Sequence, residues 1–466
     1  MTHLASLFTD HMVLQHGRSN PIWGWDGPNQ VVTLRIEGTQ SPFAERTAAS
    51  GTDGAFRIAC PELPIGGPYR LRVRGSTTCV VDDVMVGEVW LASGQSNMQW
   101  TVDLSADAAR EIRAAHWPQI RMFTVTQQAA AEPQTLAGGR WCPCTSETVG
   151  AFSAVGYYFA RAVHRSLSVP VGIIHSSWRG TRVEAWTSID ALRGVMNVDL
   201  DLADRHRPGV DCALPSPFAE PNAPAALFHG MIAPLQTFGL RGIIWYQGES
   251  NVDNHAVYRD RFVALIRDWR ARWGTWDDRA ASEPTAPEAG PLPIPFYFVQ
   301  LANFVESPAW PYLREAQAEA LAEPATGMVV TIDIGDPDDI HPLNKQEVGR
   351  RLALLALAET YGLTHLEWSG PWLGRVEINR AEVRLEFRHA MGLRARGGGE
   401  IRGFALAGAN RVYHAADADI DGNAVVVTSP AVRAPLSVRY GWADNPEANL
   451  ENAAGLPARP FRTDRY

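Results

Sequence analysis

Serine, histidine and carboxylate residues occur in this chain where short apolar runs give way to polar ones. Ser96 lies in Ser93-Gly94-Gln95-Ser96-Asn97-Met98. Small neighbours suit a hydroxyl standing on a tight turn between strand and helix, with a backbone N–H beside it. A serine hydroxyl is a weak nucleophile alone and needs a base, itself oriented by a third group. In Asp338-Asp339-Ile340-His341-Pro342, His341 offers the base, and a carboxylate two or three residues earlier can hold its imidazole N–H. Spacing leaves both Asp338 and Asp339 open for that part. The chemistry such a set performs is acyl transfer.

Two further polar clusters follow apolar runs in the same way: His175-Ser176-Ser177-Trp178-Arg179-Gly180-Thr181 and Gln247-Gly248-Glu249-Ser250-Asn251. The runs before the four clusters are Val84 to Ala92, Val171 to Ile174, Gly242 to Tyr246 and Met328 to Ile332. With Phe296 to Leu301 they are rich in β-branched and aromatic residues, as buried strands are. In an open α/β sheet ligands bind beyond the carboxyl ends of the strands, so four polar clusters at such ends predict one crevice. Singly, Gly94 to Asn97 also reads as an ordinary turn with a capping serine, and Asp338 to His341 as a solvated loop. Their placement after successive strands separates the two readings.

The elements that carry these residues form a βα-repeating middle. In Arg259 to Trp273 the residues Phe262, Leu265, Ile266, Trp269 and Trp273 fall on one helical face, and Lys345 to Glu359 reads as the helix after the histidine loop. Before Val84, short strands at Val31 to Ile36, Phe56 to Cys60 and Tyr69 to Val73 alternate with Gly, Pro and Asp clusters. After Tyr361 short strands return at Val376 to Ile378, Val383 to Phe387, Ile401 to Leu406, Ala424 to Thr428 and Ser437 to Tyr440. The expected organisation is an N-terminal β domain over residues 1–86, an α/β catalytic domain over 87–365 and a C-terminal β domain over 366–466. Pro-rich stretches at Leu214 to Pro224 and Ser282 to Pro295 read as surface excursions.

A chain of 466 residues with 45% hydrophobic and 20% charged residues has ordinary globular usage. Its net charge of −9 argues against a nucleic-acid partner. No run approaches the roughly 20 apolar residues of a membrane span, and Met1 to Asp10 lacks the pattern of an export signal. A cytoplasmic location is expected as written, periplasmic or secreted if a leader has been removed. The five cysteines, an odd number in a long chain, fit reduced thiols. Cys142-Pro143-Cys144 lacks the second ligand pair of a metal site. Lys345 is the only lysine among 42 basic residues and reads as a compositional preference for arginine.

Gly94-Gln95-Ser96-Asn97-Met98, Trp245-Tyr246-Gln247-Gly248-Glu249-Ser250-Asn251 and Asp339-Ile340-His341-Pro342 followed by Asn344-Lys345 resemble the sialate O-acetylesterase family, related to bacterial acetylxylan esterases. The resemblance runs from Leu7-Phe8-Thr9-Asp10-His11-Met12-Val13-Leu14-Gln15 to Ala443-Asp444-Asn445-Pro446. It implies an SGNH-hydrolase catalytic domain, a flavodoxin-like three-layer α/β/α fold with a parallel sheet, flanked by antiparallel, sandwich-like β regions. It also implies Ser96 as nucleophile, His341 as base, and an oxyanion hole from the Ser96 N–H, the Gly180 N–H and the Gln247 side chain. The family commonly has two glycines after the tryptophan, whereas Arg179 precedes Gly180 here and puts a bulky cation at the mouth of the site. SGNH enzymes in general place the acid three residues before the histidine, at Asp338 here, whereas this family more often keeps one two residues before, at Asp339. Some relatives work as a Ser-His dyad, so Asp338, Asp339 and a dyad all stay open.

Asn97, Glu249, Trp178 and Arg179 are the leading candidates to line the sugar site, with Gln99, Trp100, Glu184 and Trp186 beside them. The implied reaction is hydrolysis of acetyl esters on a carbohydrate through an acyl-enzyme, with no metal or organic cofactor and no membrane partner. Two alternatives accompany it: an esterase acting on acetylated xylan or xyloglucan fragments, and a carbohydrate-binding protein without turnover.

Overall fold

The computed structural model describes residues 1–38, 45–195, 198, 220–274 and 293–464. The greater part of both Pro-rich stretches, and Cys212, lie outside the described residues. The chain is a mixed α/β protein with a mostly parallel central sheet and additional antiparallel sheets. Seven strands give the central sheet its path: β1 (Thr78–Gly94), β2 (His116–Thr124), β3 (Trp141–Thr145), β4 (Val171–Ser177), β5 (Gly242–Tyr246), β6 (Phe296–Val299) and β7 (Thr326–Val329). Their order is β3-β2-β4-β1-β5-β6-β7. β4 runs parallel to both β1 and β2, β5 is parallel to β1, and β3 closes the edge antiparallel to β2.

The residues separate into two compact units. One comprises Met1–Gln247, Asp260–Tyr297 and Glu323–Thr326; the other comprises Gly248–Arg259, Phe298–Ala322 and Gly327–Tyr466. In the first, β1 serves two sheets. Its residues from Thr78 to Val86 pair antiparallel with Gly66–Arg74, and its residues from Glu88 to Gly94 pair parallel with β4. The expected boundary at residue 86 falls inside this strand. β1 begins six residues before the apolar run suggests, because Asp82 and Asp83 interrupt the pattern. Each has a cationic partner: Asp82 meets Arg70, and Asp83 takes bonds of 2.7 Å from both Arg121 and His11.

The helix α2 (Ala154–Leu167) precedes β4 and α3 (His255–Gly274) follows β5, and the apolar face of α3 read from its periodicity is buried throughout: Phe262, Leu265, Ile266, Trp269 and Trp273 are at most 2% exposed. Burying each aliphatic or aromatic side chain stabilises by about 1.5–3 kcal/mol. Trp245 of β5 is fully covered and packs against the rings of Trp186, Phe262 and Trp269.

In the second unit, α4 (Trp310–Glu319) precedes β7, and α5 (Lys345–Glu359) starts at an Asn344 cap whose side chain accepts from the Glu347 N–H. Two strands end earlier than their sequence suggests. β6 stops at Val299, because the Leu301 N–H is taken by the Gln317 side chain at 3.0 Å. β7 stops at Val329 rather than Ile332, since the Thr331 hydroxyl turns to the Gln300 carbonyl and the Ile334 N–H closes a turn on Thr331. Further along, Trp372–Asn379, Glu382–Arg388, Ala424–Thr428 and Asp417–Asp421 form an antiparallel sheet in that order; Phe404–Ala407 and Ser437–Tyr440 pair in another. Phe404–Ala407 starts three residues later than Ile401 because the Arg402 N–H goes to the Asn449 side chain and Gly403 has φ 100°.

Candidate active site

Ser96 opens the four-residue helix α1 (Ser96–Gln99) directly after β1. The turn requires Gly94. Its φ is 137°, and a Cβ there would stand 2.1 Å from the Tyr246 carbonyl oxygen. That close approach lets the Gln95 N–H bond the Tyr246 carbonyl at 2.9 Å, while the Gly94 carbonyl accepts from Trp178 at 3.1 Å. The ends of β1, β4 and β5 are thereby tied together by backbone alone. Gln95, Asn97 and Met98 are buried, and Ser96 between them is partly exposed.

Past β4, Gly180 has φ 70° and open space where a Cβ would stand. Its loop is held by Asn222, whose amide donates to the Gly180 carbonyl at 2.9 Å and whose oxygen accepts from the Arg182 N–H at 2.8 Å. Arg179 is exposed, and its N–H bonds the Gln99 side chain at 2.8 Å. Gln247, fully buried at the end of β5, donates its carboxamide to the Thr181 carbonyl at 3.1 Å. Thr181 also receives the Trp186 indole N–H at 2.9 Å. Trp186 is fully buried, so it has no face to offer a sugar, and Glu184 is ion-paired with Arg261. Trp178 is half-buried, and the half-buried Trp100 donates its indole N–H to the Leu104 carbonyl at 3.0 Å.

In the second unit the loop after β7 carries His341. Its root is anchored by Asp333, which Arg351 grips through two bonds of 2.7 Å. Gly335 packs where a Cβ would meet Asn303 at 2.0 Å. Asp336 accepts from the Asp338 N–H at 2.9 Å, and Asp339 from the His341 N–H at 2.8 Å. Of the two candidate acids, Asp339 is the one that faces the ring, its Oδ1 standing 3.3 Å from Nδ1. Burial and the charge of Lys345 hold His341 below its ordinary value, opposed by Asp339. The same unit contains Glu249, buried in the short helical turn Glu249–Asn254 that Gly248 opens. Among the described residues, no three or more His, Cys, Asp or Glu converge as a metal site requires, and no helix is long and apolar enough to cross a membrane.

Residues 86–358 match the model of the family described as carbohydrate esterase, sialic acid-specific acetylesterase. The chain belongs to this esterase family. Among curated relatives, the sialate O-acetylesterase of Homo sapiens is 31% identical over 412 residues, covering 80% of this chain and 74% of that protein. That of Rattus norvegicus is 31% identical over 425 residues, with 80% and 76% covered. A solved structure of a carbohydrate acetylesterase from Xanthomonas citri superposes with a TM-score of 0.87 at 40% identity, covering 100% of both chains. The protein is thus a carbohydrate-esterase relative over nearly its full length. The matched region contains Ser96, Gly180, Gln247, Asp339 and His341.

Two residues of this esterase escaped the sequence reading. Asn222 clamps the Gly180 loop from about 40 residues away, in a stretch that reads as a Pro-rich excursion. Lys345, which reads as compositional, is fully buried and donates to the Pro342 carbonyl at 2.7 Å. Its being the sole lysine, and its place in the Asn344-Lys345 pair that follows the histidine motif, were the available signals.

Proposed function

We propose that this esterase removes acetyl groups from sugar hydroxyls through an acyl-enzyme on Ser96, within a flavodoxin-like three-layer SGNH-hydrolase domain. The observation carrying the reading is the Ser96 turn: a partly exposed serine at the start of a helix, among buried neighbours. Ser96 Oγ attacks the acetyl carbonyl carbon while His341 takes its proton. Asp339 faces Nδ1, so Nε2 is the working nitrogen, and a lowered His341 value keeps the ring unprotonated near neutral pH. The developing oxyanion is met by the N–H groups of Ser96 and Gly180 and the Gln247 carboxamide, donors worth roughly 3–4 kcal/mol each. Collapse expels the sugar oxygen, which takes the proton from His341. Water then attacks the acetyl-Ser96 ester, passing its proton to His341, and acetate leaves as Oγ recovers a proton.

Asn97, Trp178, Arg179 and Glu249 are proposed to shape the sugar site, and the reading needs no cofactor. The named relatives favour O-acetylated sialic acid. Acetylated xylo-oligosaccharides form the rival class, and acetate release from the two types of substrate separates them. For the nucleophile, Ser96→Ala should leave circular dichroism unchanged and abolish hydrolysis of p-nitrophenyl acetate. A folded variant retaining about a tenth of the activity would reject the assignment.

A further inference from the structure

Lys345 is the first residue of α5, is 0% exposed, and is the only lysine of a chain whose other cations are all arginine. The chain does bury arginines: Arg314 is 1% exposed and donates to four carbonyls, and Arg351 is 3% exposed and grips Asp333. A guanidinium is therefore usable in this interior wherever a planar fork fits. At 345 the chain instead keeps a compact ammonium, which unlike a guanidinium gives up its proton readily when buried. Its Nζ donates to the carbonyl of Pro342, the residue after His341. Its backbone N–H closes a turn on the Leu343 carbonyl at 2.9 Å.

We propose that Lys345 is a positioning residue for the His341 base: its ammonium ties down the peptide that follows the histidine, and its charge keeps the imidazole in the proton-accepting form. The inference rests on the assignment of His341 as base. The charged groups facing the pair, among the described residues, are Asp339 on the loop itself and Glu249 on the helical turn after β5. Burial pushes Lys345 down to about 7, against the pull of Glu249 and Asp339. As pH falls, Lys345 takes its proton first. The positive charge then opposes a second proton on the imidazole, so His341 stays neutral into mildly acid solution, and the two groups titrate as a coupled pair.

The test is the pH profile of kcat/KM for p-nitrophenyl acetate on the full chain. In the wild type the acid limb should fall below the ordinary histidine value of about 6.5. Lys345→Gln keeps a donor for the Pro342 carbonyl but removes the charge, and should move that limb up by about half to one pH unit. Lys345→Met removes both, and should move the limb equally while lowering the plateau about ten-fold, more than Lys345→Gln does. Folded variants with the wild-type limb would overturn the inference. A wild-type limb at or above about 6.5 would overturn it as well, and that measurement decides if neither variant folds. His341→Ala separates the two levels. Retained activity there defeats the base assignment, whereas an inactive His341→Ala beside unmoved Lys345 profiles defeats only the role of Lys345.

Discussion

Backbone holds the Ser96 turn: Gly94 and Gln95 bond directly to the neighbouring strands, and the surrounding side chains are buried. Side chains hold the His341 loop: Asp333 on Arg351, Asp336 and Asp339 on backbone N–H groups, Lys345 on a carbonyl, with Asp338 and Asp339 exposed. A peptide group cannot be removed by substitution, but a carboxylate can. The two regions should therefore fail differently, the turn through loss of structure and the loop through loss of chemistry.

The largest effect is expected on the loop. Asp339→Asn should lower turnover by roughly 10²–10⁴-fold, since the imidazole loses the charge that orients it, while the melting temperature barely moves. Asp338→Asn, whose carboxylate lies away from the Nδ1 pair, should stay within about 0.5 kcal/mol in stability and near wild type in turnover. Equal, slight losses in both variants would reject Asp339 as the orienting acid.

On the turn, Gly94→Ala forces a Cβ against the Tyr246 carbonyl at an unfavourable φ, and should destabilise by about 3 kcal/mol or more in urea denaturation. Activity is lost with the fold rather than ahead of it. A stable but inactive Gly94→Ala would contradict the backbone account.

The smallest effect sharpens the comparison from beneath the turn. Glu88, 1% exposed on β1, is paired with Arg241 at 2.7 Å and with His16. Burial alone would raise its carboxyl, but the bonds from His16 and Arg241 outweigh that and push it down to about 2. Its stabilisation is full above the ordinary value of 4.5 and is lost as pH falls towards 2. Glu88→Gln should cost roughly 2 kcal/mol at pH 7, with Arg241 partly able to reach water, and leave kcat/KM unchanged. The gap to wild type should close by about pH 2–3, as urea melts at both pH values will show.

How much was legible in the sequence follows the same division. The extent of β5, the start of β4 and the apolar face of α3 could be read from local pattern, because packing there follows periodicity, whereas β4 carries its pairing with β1 three residues past Ile174 to Ser177. The end of β7 could not, since Thr331 looks like a strand residue and leaves the sheet only because its hydroxyl finds the Gln300 carbonyl. The Asn222 clamp joins residues about 40 apart, and no local pattern announces it. Asp338 and Asp339 are equivalent by spacing. The short turn in which Asp339 accepts the His341 N–H sets that carboxylate beside the ring.

A chain with one lysine offers a lysine-specific endoproteinase one place to cut, and here that place is fully buried. Native protein resists until the start of α5 opens, after which cleavage leaves two fragments meeting between Lys345 and Gln346. With opening and closing fast relative to cutting, the cleavage rate tracks the population of the open form. Digestion in the presence of a bound sugar or product thus becomes a direct gauge of how firmly the histidine loop is shut, read from a single band on a gel.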